Sequence, residues 1–129
     1  MRLLPGDPPR GFVPAYHFRI LLAGGVDAGH LNFRVGGTPH VLVCAGHIGY
    51  EIREAFRGHG YALQACRAIA PFVRTIYQTA TITCDPDNHA SRRTLEKLGA
   101  RWVDEVPVPP ADPQYQHGSR RKLRFEWTP

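Results

Sequence analysis

The segment from Gly46 to Arg67 holds the residues whose types and spacing best suit the binding of an anion. Within it, Arg57 precedes a short loop that contains Gly58 and Gly60, and an apolar stretch with helical spacing follows. Glycine lets a ligand approach the main chain closely. The first N–H groups of a helix lack intrahelical acceptors and lie at the positive end of the helix dipole. The segment therefore predicts a site for a phosphate or pyrophosphate, to which Arg57 adds a full positive charge.

The residues on either side of this loop predict a strand and then a helix. Before the loop, Ile48, Tyr50 and Ile52 alternate with other residues, which is the period-2 pattern of a strand. After it, Leu63, Cys66, Ala70 and Val73 fall on one stripe of a helix that we expect over residues 61–76. The loop has neither the G-K-[ST] of a P-loop nor the G-x-G-x-x-G of a dinucleotide fold. Taken alone, it could therefore be an ordinary tight connection.

A second informative segment, residues 87–100, reads D-N-H-A-S-R-R-T-L-E-K-L-G-A and predicts a short capped helix. Asn88 is a favourable N-cap residue, and Gly99 suits the position that ends a helix. We expect this helix over about residues 90–98. Alone, the segment is a generic capped helix in which Ser91 is merely polar.

Together the two segments resemble the acetyl-CoA-binding elements of the GNAT-type N-acetyltransferases. The pattern R-x-x-G-x-A occurs at Arg57, Gly60 and Ala62, and N-x-x-S-x-x-x-L-E-K-L-G begins at Asn88. The two motifs have the order and separation found in that family, and the resemblance covers about residues 16–127. It implies an acyltransferase that uses acetyl-CoA as co-substrate and a primary amine as acceptor.

The resemblance also implies where the co-substrate binds. Main-chain N–H groups of the loop would hold the pyrophosphate, and the end of the preceding strand and Asn88 would contact the pantetheine arm. Arg92, one helical turn beyond Asn88, could reach the nucleotide phosphates or be an ordinary solvated cation. The residues expected to bind acetyl-CoA are Ile52, Arg53, Arg57, Gly58, His59, Gly60, Tyr61, Ala62, Asn88 and Arg92.

In this family the acetyl group passes directly to a bound amine, which requires an oxyanion donor and an acid for the departing thiolate. We expect the oxyanion donor to be a backbone N–H near Ile52. Many family members carry an acidic Tyr at the position of Leu95, so here that role moves to another residue. Ser91 matches the Ser of the branch that acetylates ribosomal-protein N termini, and it is the first candidate. A neutral Ser is a poor acid, so we expect it to hydrogen-bond the sulfur.

The amine must also lose a proton, and two residues of the predicted strand are candidates for the general base. Period-2 counting puts Glu51 and His47 on one face of that strand. Either could accept the proton directly or through water. The alternative is that one of them faces solvent and the other pairs with an arginine.

The chain departs from the family at its start. Family members usually begin with a strand and two helices that form much of the acceptor wall, but here the strand pattern begins by about Tyr16. We expect that wall to be reduced and the exposed apolar surface to be buried in a homodimer. The same departure leaves open a module that binds CoA without turnover.

The remaining segments predict a single domain over residues 1–129 with an irregular arm at 1–15. We expect an α/β (mixed α+β) fold, a GNAT-like twisted mixed sheet of about six strands flanked by helices. The element order is β-β-β-α-β-α-β-β, and the strands before the loop and at 79–84 should run parallel. The other strands are expected at residues 16–22, 30–35, 101–108 and 122–127; residues 40–44 should lead into the strand before the loop, and residues 111–119 should form a polar loop.

Composition and charge limit the remaining possibilities. No apolar run reaches the ~20 residues of a membrane span and no signal segment is visible, so we expect a cytoplasmic protein without membrane contact. Three cysteines without C-x-x-C spacing predict reduced core thiols, and the seven histidines show no metal-ligand spacing. The net charge of +5 suits an anionic partner. Without a basic helix or interleaved aromatic residues, it favours a phosphate-rich ligand over nucleic acid.

Overall fold

The computed structural model describes residues 1–129, which form one mixed sheet flanked by helices. The strands are β1 Arg2–Leu4, β2 Ala15–Leu21, β3 Asp27–Arg34, β4 Ile48–Ile52, β5 Ala80–Cys84, β6 Arg101–Pro107 and β7 Arg121–Trp127. The helices are α1 Tyr61–Arg74, α2 His89–Leu98 and α3 Pro113–Gln116. The sheet has the order β1-β2-β3-β4-β5-β7-β6. The predicted α/β architecture is confirmed, and the additional strand, β1, comes from the arm that was predicted to be irregular.

The central strands β4 and β5 run parallel, as predicted, but they separate soon after they meet. Their ladder contains the single register pair Ile48–Ile82, preceded by a bond of 2.7 Å from the N–H of His47 to the carbonyl of Thr81. Beyond Ile48, β4 continues to pair with β3 as far as Ile52, whereas β5 pairs along its length with β7. The two strands therefore leave a gap between them in the middle of the sheet.

The two faces of the sheet differ in chemistry because side chains alternate along each strand. Leu31 and Phe33 of β3 belong to the buried core, which includes residues of α1 and α2. His30, Asn32 and Arg34 of the same strand therefore lie on the opposite face. That second face is polar, and it is covered in part by α3 and by the segment between β3 and β4.

That connecting segment differs from its prediction. Residues 40–44 were expected to form the start of the strand before the loop, but His40–Ala45 forms a wide helical turn, so that prediction was wrong. Tertiary contacts hold the turn over the sheet: His40 Nδ1 lies 2.7 Å from Asp112 Oδ2, and the Thr83 hydroxyl donates to the carbonyl of Cys44 at 2.6 Å. Contacts with residues distant in sequence therefore override the local β-propensity of the segment.

The three cysteines, Cys44, Cys66 and Cys84, are free and buried, as predicted. Burial raises the pKa of the Cys66 thiol to about 12, because the interior disfavours the thiolate. These thiols therefore contribute to the core as small apolar groups.

Two further features bear on function. None of the helices has both the length and the apolar character that a membrane crossing requires. No three side chains among His, Cys, Asp and Glu are grouped so as to hold a metal ion.

Candidate functional site

The loop between β4 and α1 presents a row of free main-chain donors. A helical turn, Glu54–Phe56, follows β4, and Gly58 and Gly60 then adopt φ angles of 85° and 75°. Such left-handed angles favour glycine. No side chain caps the start of α1, and none of the N–H groups from Gly58 to Leu63 donates to an acceptor within the protein. The loop and the helix start therefore form a concave surface of unpaired donors that suits an anion.

Arg57 stands beside these donors with part of its guanidinium free. Its Nε donates to the carbonyl of Ile52 at 2.9 Å, which fixes the side chain at the end of β4. Neither terminal nitrogen has a partner within the protein, and the residue is exposed. Arg57 can therefore contact an anion in the loop through its two terminal nitrogens.

A cleft of about 570 Å³ leads from this loop along β4 and α2 to the gap between β4 and β5. Of the ten residues predicted to bind acetyl-CoA, seven line this cleft: Ile52, Arg57, Gly58, Gly60, Tyr61, Ala62 and Asn88. The structure thus brings together residues from the two motifs, which are about 30 positions apart in the sequence.

The other three predicted residues lie outside the cleft lining. The N–H of Arg53 donates to the carbonyl of Ala28 at 2.8 Å, and its guanidinium lies 3.4 Å from the carboxylate of Asp27, on the polar face. Arg92 reaches the carbonyl of Pro86 at 3.5 Å instead of the cleft. His59 packs near Tyr61, with their ring centroids 5.6 Å apart.

Two cations that the sequence analysis did not select line the cleft instead of Arg92. Arg93 and Lys97 lie on α2 with Ala90 and Thr94, at spacings of three and four residues. These spacings put them on one helix face, whereas Ser91 and Leu95 are buried on another. Leu95 is apolar and therefore marks the buried face of α2. Arg92 lies three residues before Leu95, so the position of Leu95 could have shown that Arg92 does not share the helix face of Arg93 and Lys97 that lines the cleft.

Tyr50 and Ser91 meet at the gap. The Tyr50 hydroxyl on β4 lies 2.7 Å from Ser91 Oγ on α2, and either group can donate. The N–H of Ser91 donates to Asn88 Oδ1 at 3.1 Å, so the predicted N-cap also fixes Ser91. Burial raises the pKa of Tyr50 to about 12, which keeps its proton in place at neutral pH. In the sequence, Tyr50 is only one apolar position of a predicted strand, and the tertiary structure brings it to Ser91.

The two candidate bases have different environments. Glu51 is exposed, forms no ion pair within the protein and lies directly opposite His30 across the β3–β4 ladder. His47 is only 5% exposed, its Nε2 lies 3.1 Å from the carbonyl of Gly36, and its Nδ1 accepts the N–H of Thr81 at 2.9 Å. Both nitrogens of His47 are therefore engaged, and it has no free lone pair for a substrate proton.

His47 instead joins the two parallel strands. Its ring stacks on Tyr77 with the centroids 4.3 Å apart, and burial lowers its pKa. His47 therefore does not serve as a general base, although its place in the sequence made it a candidate together with Glu51. His30 is the histidine that lies next to Glu51.

Two polar clefts open on the opposite face of the sheet, and both include His30 and Glu51. One, of about 410 Å³, extends towards β2. The other, of about 270 Å³, shares Tyr50, Glu51, Asn88 and Ser91 with the cleft on the helical face. The gap between β4 and β5 therefore connects the two faces, so ligands in the two clefts could meet there.

The polar character of this face bears on the predicted dimer. An exposed apolar surface was expected where the acceptor wall is reduced. The larger of the two polar clefts is lined by seven residues, none of them hydrophobic. This part of the surface therefore gives no hydrophobic reason for association.

Comparison with known proteins agrees with this geometry. A family model described as an acetyltransferase (GNAT) domain matches residues 9–101. No curated protein sequence matches the chain. Among solved structures, a GNAT-family acetyltransferase from Bacillus anthracis superimposes with a TM-score of 0.67 at 23% identity, over 87% of this chain.

Two further structures share the fold. The ribosomal L7/L12 alpha-N-protein acetyltransferase gives a TM-score of 0.59 at 20% identity over 81% of this chain. The microcin C7 self-immunity acetyltransferase, solved with acetyl-CoA and AMP, gives 0.57 at 18% identity over 80%. The chain spans 65%, 63% and 55% of the lengths of these three structures, in the order given. At such identities the likeness is one of fold.

Proposed function

Because this chain belongs to the GNAT acetyltransferase family, we propose that it transfers the acetyl group of acetyl-CoA to a primary amine. The observation that carries the proposal is the row of unpaired N–H groups from Gly58 to Leu63, beside Arg57. These donors open into the cleft that ends where Tyr50 meets Ser91. A phosphate-rich ligand held at one end would therefore extend to polar groups at the other.

Each part of the cleft has a role in holding acetyl-CoA. The loop donors and Arg57 would bind the pyrophosphate, and Arg93 and Lys97 would attract the remaining phosphate of the nucleotide. The pantetheine arm would run beside Ile52 and Asn88 towards the gap. Beyond Ile48, β4 does not pair with β5, so main-chain groups on that edge are available to the arm.

The reaction forms a C–N bond and breaks a C–S bond, so the amine loses a proton and the sulfur gains one. Glu51, which faces the polar clefts, accepts the amine proton, and His30 lies beside it to pass the proton on. In the Tyr50–Ser91 pair one hydroxyl donates to the other, and the proton that remains donates a hydrogen bond to the departing sulfur. A backbone N–H on the unpaired edge of β4, near Ile52, stabilises the oxyanion.

A second candidate function is a module that binds CoA without turnover. It is favoured by Leu95, which occupies the position of the family's acidic Tyr and is fully buried. The homodimer and the cytoplasmic location remain predictions from the sequence.

Thermal denaturation with and without acetyl-CoA tests both functions, because a ligand that binds only the folded state raises the midpoint. At a hundredfold excess over Kd the stabilisation should be about 2.7 kcal/mol. An unchanged midpoint at saturating acetyl-CoA would contradict both functions. Release of free thiol on addition of primary amines then supports the enzyme, whereas a raised midpoint without thiol release for any amine supports the module.

A further inference from the structure

Arg34, at the end of β3, is a half-buried cation without an anionic partner in the protein. It lines the smaller polar cleft, on the opposite side of the gap from the anion-binding loop. Its Nη1 donates to the carbonyls of Ala45 and Gly46, at 3.0 and 3.3 Å, which fixes the guanidinium in place. Burial lowers the pKa of Arg34, because no carboxylate offsets the loss of solvent around its charge.

The sheet is shaped to admit this guanidinium. A Cβ atom added at Gly49 of β4 would lie 2.7 Å from Nη1 and 3.1 Å from Nη2 of Arg34. The guanidinium therefore occupies the space that a side chain at position 49 would fill. The backbone of Gly49 does not lie in the left-handed region, so glycine is needed here for space and not for conformation.

One edge of the guanidinium remains available to a ligand. Neither Nε nor Nη2 of Arg34 has a hydrogen-bond partner in the protein. Every side-chain nitrogen or oxygen that is buried does have a partner. These two donors therefore reach solvent in the cleft. They form the parallel pair that binds a carboxylate or a phosphate in a bidentate manner.

The other cations of this polar face are already paired. Lys122 lies 2.7 Å from the carboxylate of Asp85, and Arg19 and Arg53 lie 3.0 and 3.4 Å from that of Asp27. Among the arginines and lysines that line the two clefts, Arg34 is thus the one without a carboxylate partner. Among the carboxylates that line them, Glu51 is the one without a cationic partner. A molecule with both an ammonium and an anionic group would complement this arrangement.

We propose that the acceptor is a small primary amine that also carries a carboxylate or phosphate, and that the free edge of Arg34 binds this anion. The inference rests on the proposed function, since it identifies the class of acceptor. Gly49 and Glu51 lie on the same face two positions apart, about 7 Å along the strand. Because the guanidinium lies over Gly49, an anion bound to its free edge would leave an amine a few bonds away within reach of the Glu51 carboxylate.

Paired acceptors test this directly in a thiol-release assay with acetyl-CoA. The panel contains free α-amino acids, β-alanine and γ-aminobutyrate, each beside its amide, and phosphoethanolamine beside ethanolamine. We expect at least one anionic member to exceed its neutral counterpart by roughly 10- to 100-fold in kcat/KM, as for loss of a charge-assisted bidentate contact. Comparison of the acceptors that carry a carboxylate with the one that carries a phosphate then identifies which anion is bound.

Three variants assign that preference. Arg34→Gln should abolish it, and Gly49→Ala should reduce it by displacing the guanidinium while keeping the charge. Because Arg34 also holds two carbonyls, Gly49→Ala keeps the test valid if Arg34→Gln fails to fold. Arg101→Gln, which removes an exposed cation of β6, should leave the preference unchanged.

The outcomes separate this inference from the proposed function. Equal kcat/KM for anionic and neutral acceptors, or a preference that survives in Arg34→Gln, overturns the inference while acetyl transfer stands. If acetyl-CoA raises the midpoint but no amine releases thiol, the proposed acetyl transfer is contradicted. The inference about Arg34 is then tested by the binding of the amines alone. In that case the same amines are titrated into the CoA-saturated protein, and the absence of any Arg34-dependent rise in Tm overturns it.

Discussion

The hydroxyl of Tyr50 lies 2.7 Å from Ser91 Oγ, across the point where β4 and β5 separate. Burial raises the pKa of Tyr50 to about 12, far above the ~8.5 of an ordinary thiol. Transfer of the Tyr50 proton to a thiolate would therefore be unfavourable by roughly 5 kcal/mol, from the ~1.4 kcal/mol per pKa unit. Hydrogen bonding to the developing thiolate has no such cost. The pair should therefore act as a donor to the sulfur, with the final proton coming from water.

This role predicts the effect of removing either hydroxyl. Ser91→Ala and Tyr50→Phe should each lower kcat by about 10- to 100-fold, because a hydrogen bond to a charged group contributes about 1.5–3 kcal/mol. The affinity for acetyl-CoA, measured by calorimetry, should change little. If the two hydroxyls act as one unit, the double variant should be hardly slower than the slower single variant. A kcat that is unchanged in both single variants would show that the pair has only a structural role.

Glu51 should be required for deprotonation of the amine. Glu51→Gln keeps the size of the side chain but removes its basicity, so kcat/KM for the amine should fall by about 10²- to 10⁴-fold. Acetyl-CoA should raise the Tm of the variant as it does for the wild-type protein. Glu105→Gln, which removes a carboxylate paired with Arg121 on the surface, is the matched control and should leave turnover unchanged. Full activity of Glu51→Gln would require another base or spontaneous loss of the proton.

Removal of Arg57 should weaken acetyl-CoA binding without unfolding the protein, because the side chain is exposed. The lost contact to a phosphate should cost about 1.5–3 kcal/mol, which is roughly 10- to 100-fold in Kd. Calorimetric titration of Arg57→Ala measures this change. Arg101→Ala, an equal change of net charge at a residue that does not line the cleft, serves as the control. Equal affinities for Arg57→Ala and the wild-type protein would mean that the loop is misassigned.

The parts of the site that depend on short-range sequence could be predicted. The Gly58–Gly60 loop and the N-cap at Asn88 are local features, because a left-handed angle or a capped helix start is determined by a few adjacent residues. The parallel β4–β5 pair followed from the handedness and length of a helical crossover. The seven predicted residues that line the cleft all lie in these local elements or beside them.

The parts that depend on contacts between distant residues could not be predicted. Period-2 counting placed His47 with Glu51, but the strand begins at Ile48, and partners on other elements engage both ring nitrogens of His47. His30 reaches Glu51 through the register of β3, which a single sequence does not reveal. Arg34 likewise gains its position from Gly49 on the neighbouring strand. The polar face proposed to bind the acceptor is built mainly from such cross-strand relationships.

His47 should make the stability of the protein sensitive to mild acid. Burial lowers its pKa in the folded state below the ordinary histidine value of 6.5, so between these two values the unfolded chain binds more protons. The stabilisation is therefore complete above pH 6.5 and is lost as the pH falls through the folded-state value. Asp27, Asp104 and Asp112 also have lowered pKa values, but their contributions are lost only below about pH 3.8.

Urea unfolding between pH 5 and 8 separates these two ranges. The wild-type free energy of unfolding should decrease as the pH falls below 6.5. His47→Gln should be less stable than the wild-type protein at pH 8, because it loses the stacking on Tyr77 and the bond between β4 and β5, yet its stability should depend less on pH in this range. His117→Gln, which replaces an exposed histidine, should keep the wild-type slope. An identical slope in His47→Gln would show that another group is protonated first, and that His47 does not set the acid limit of the fold.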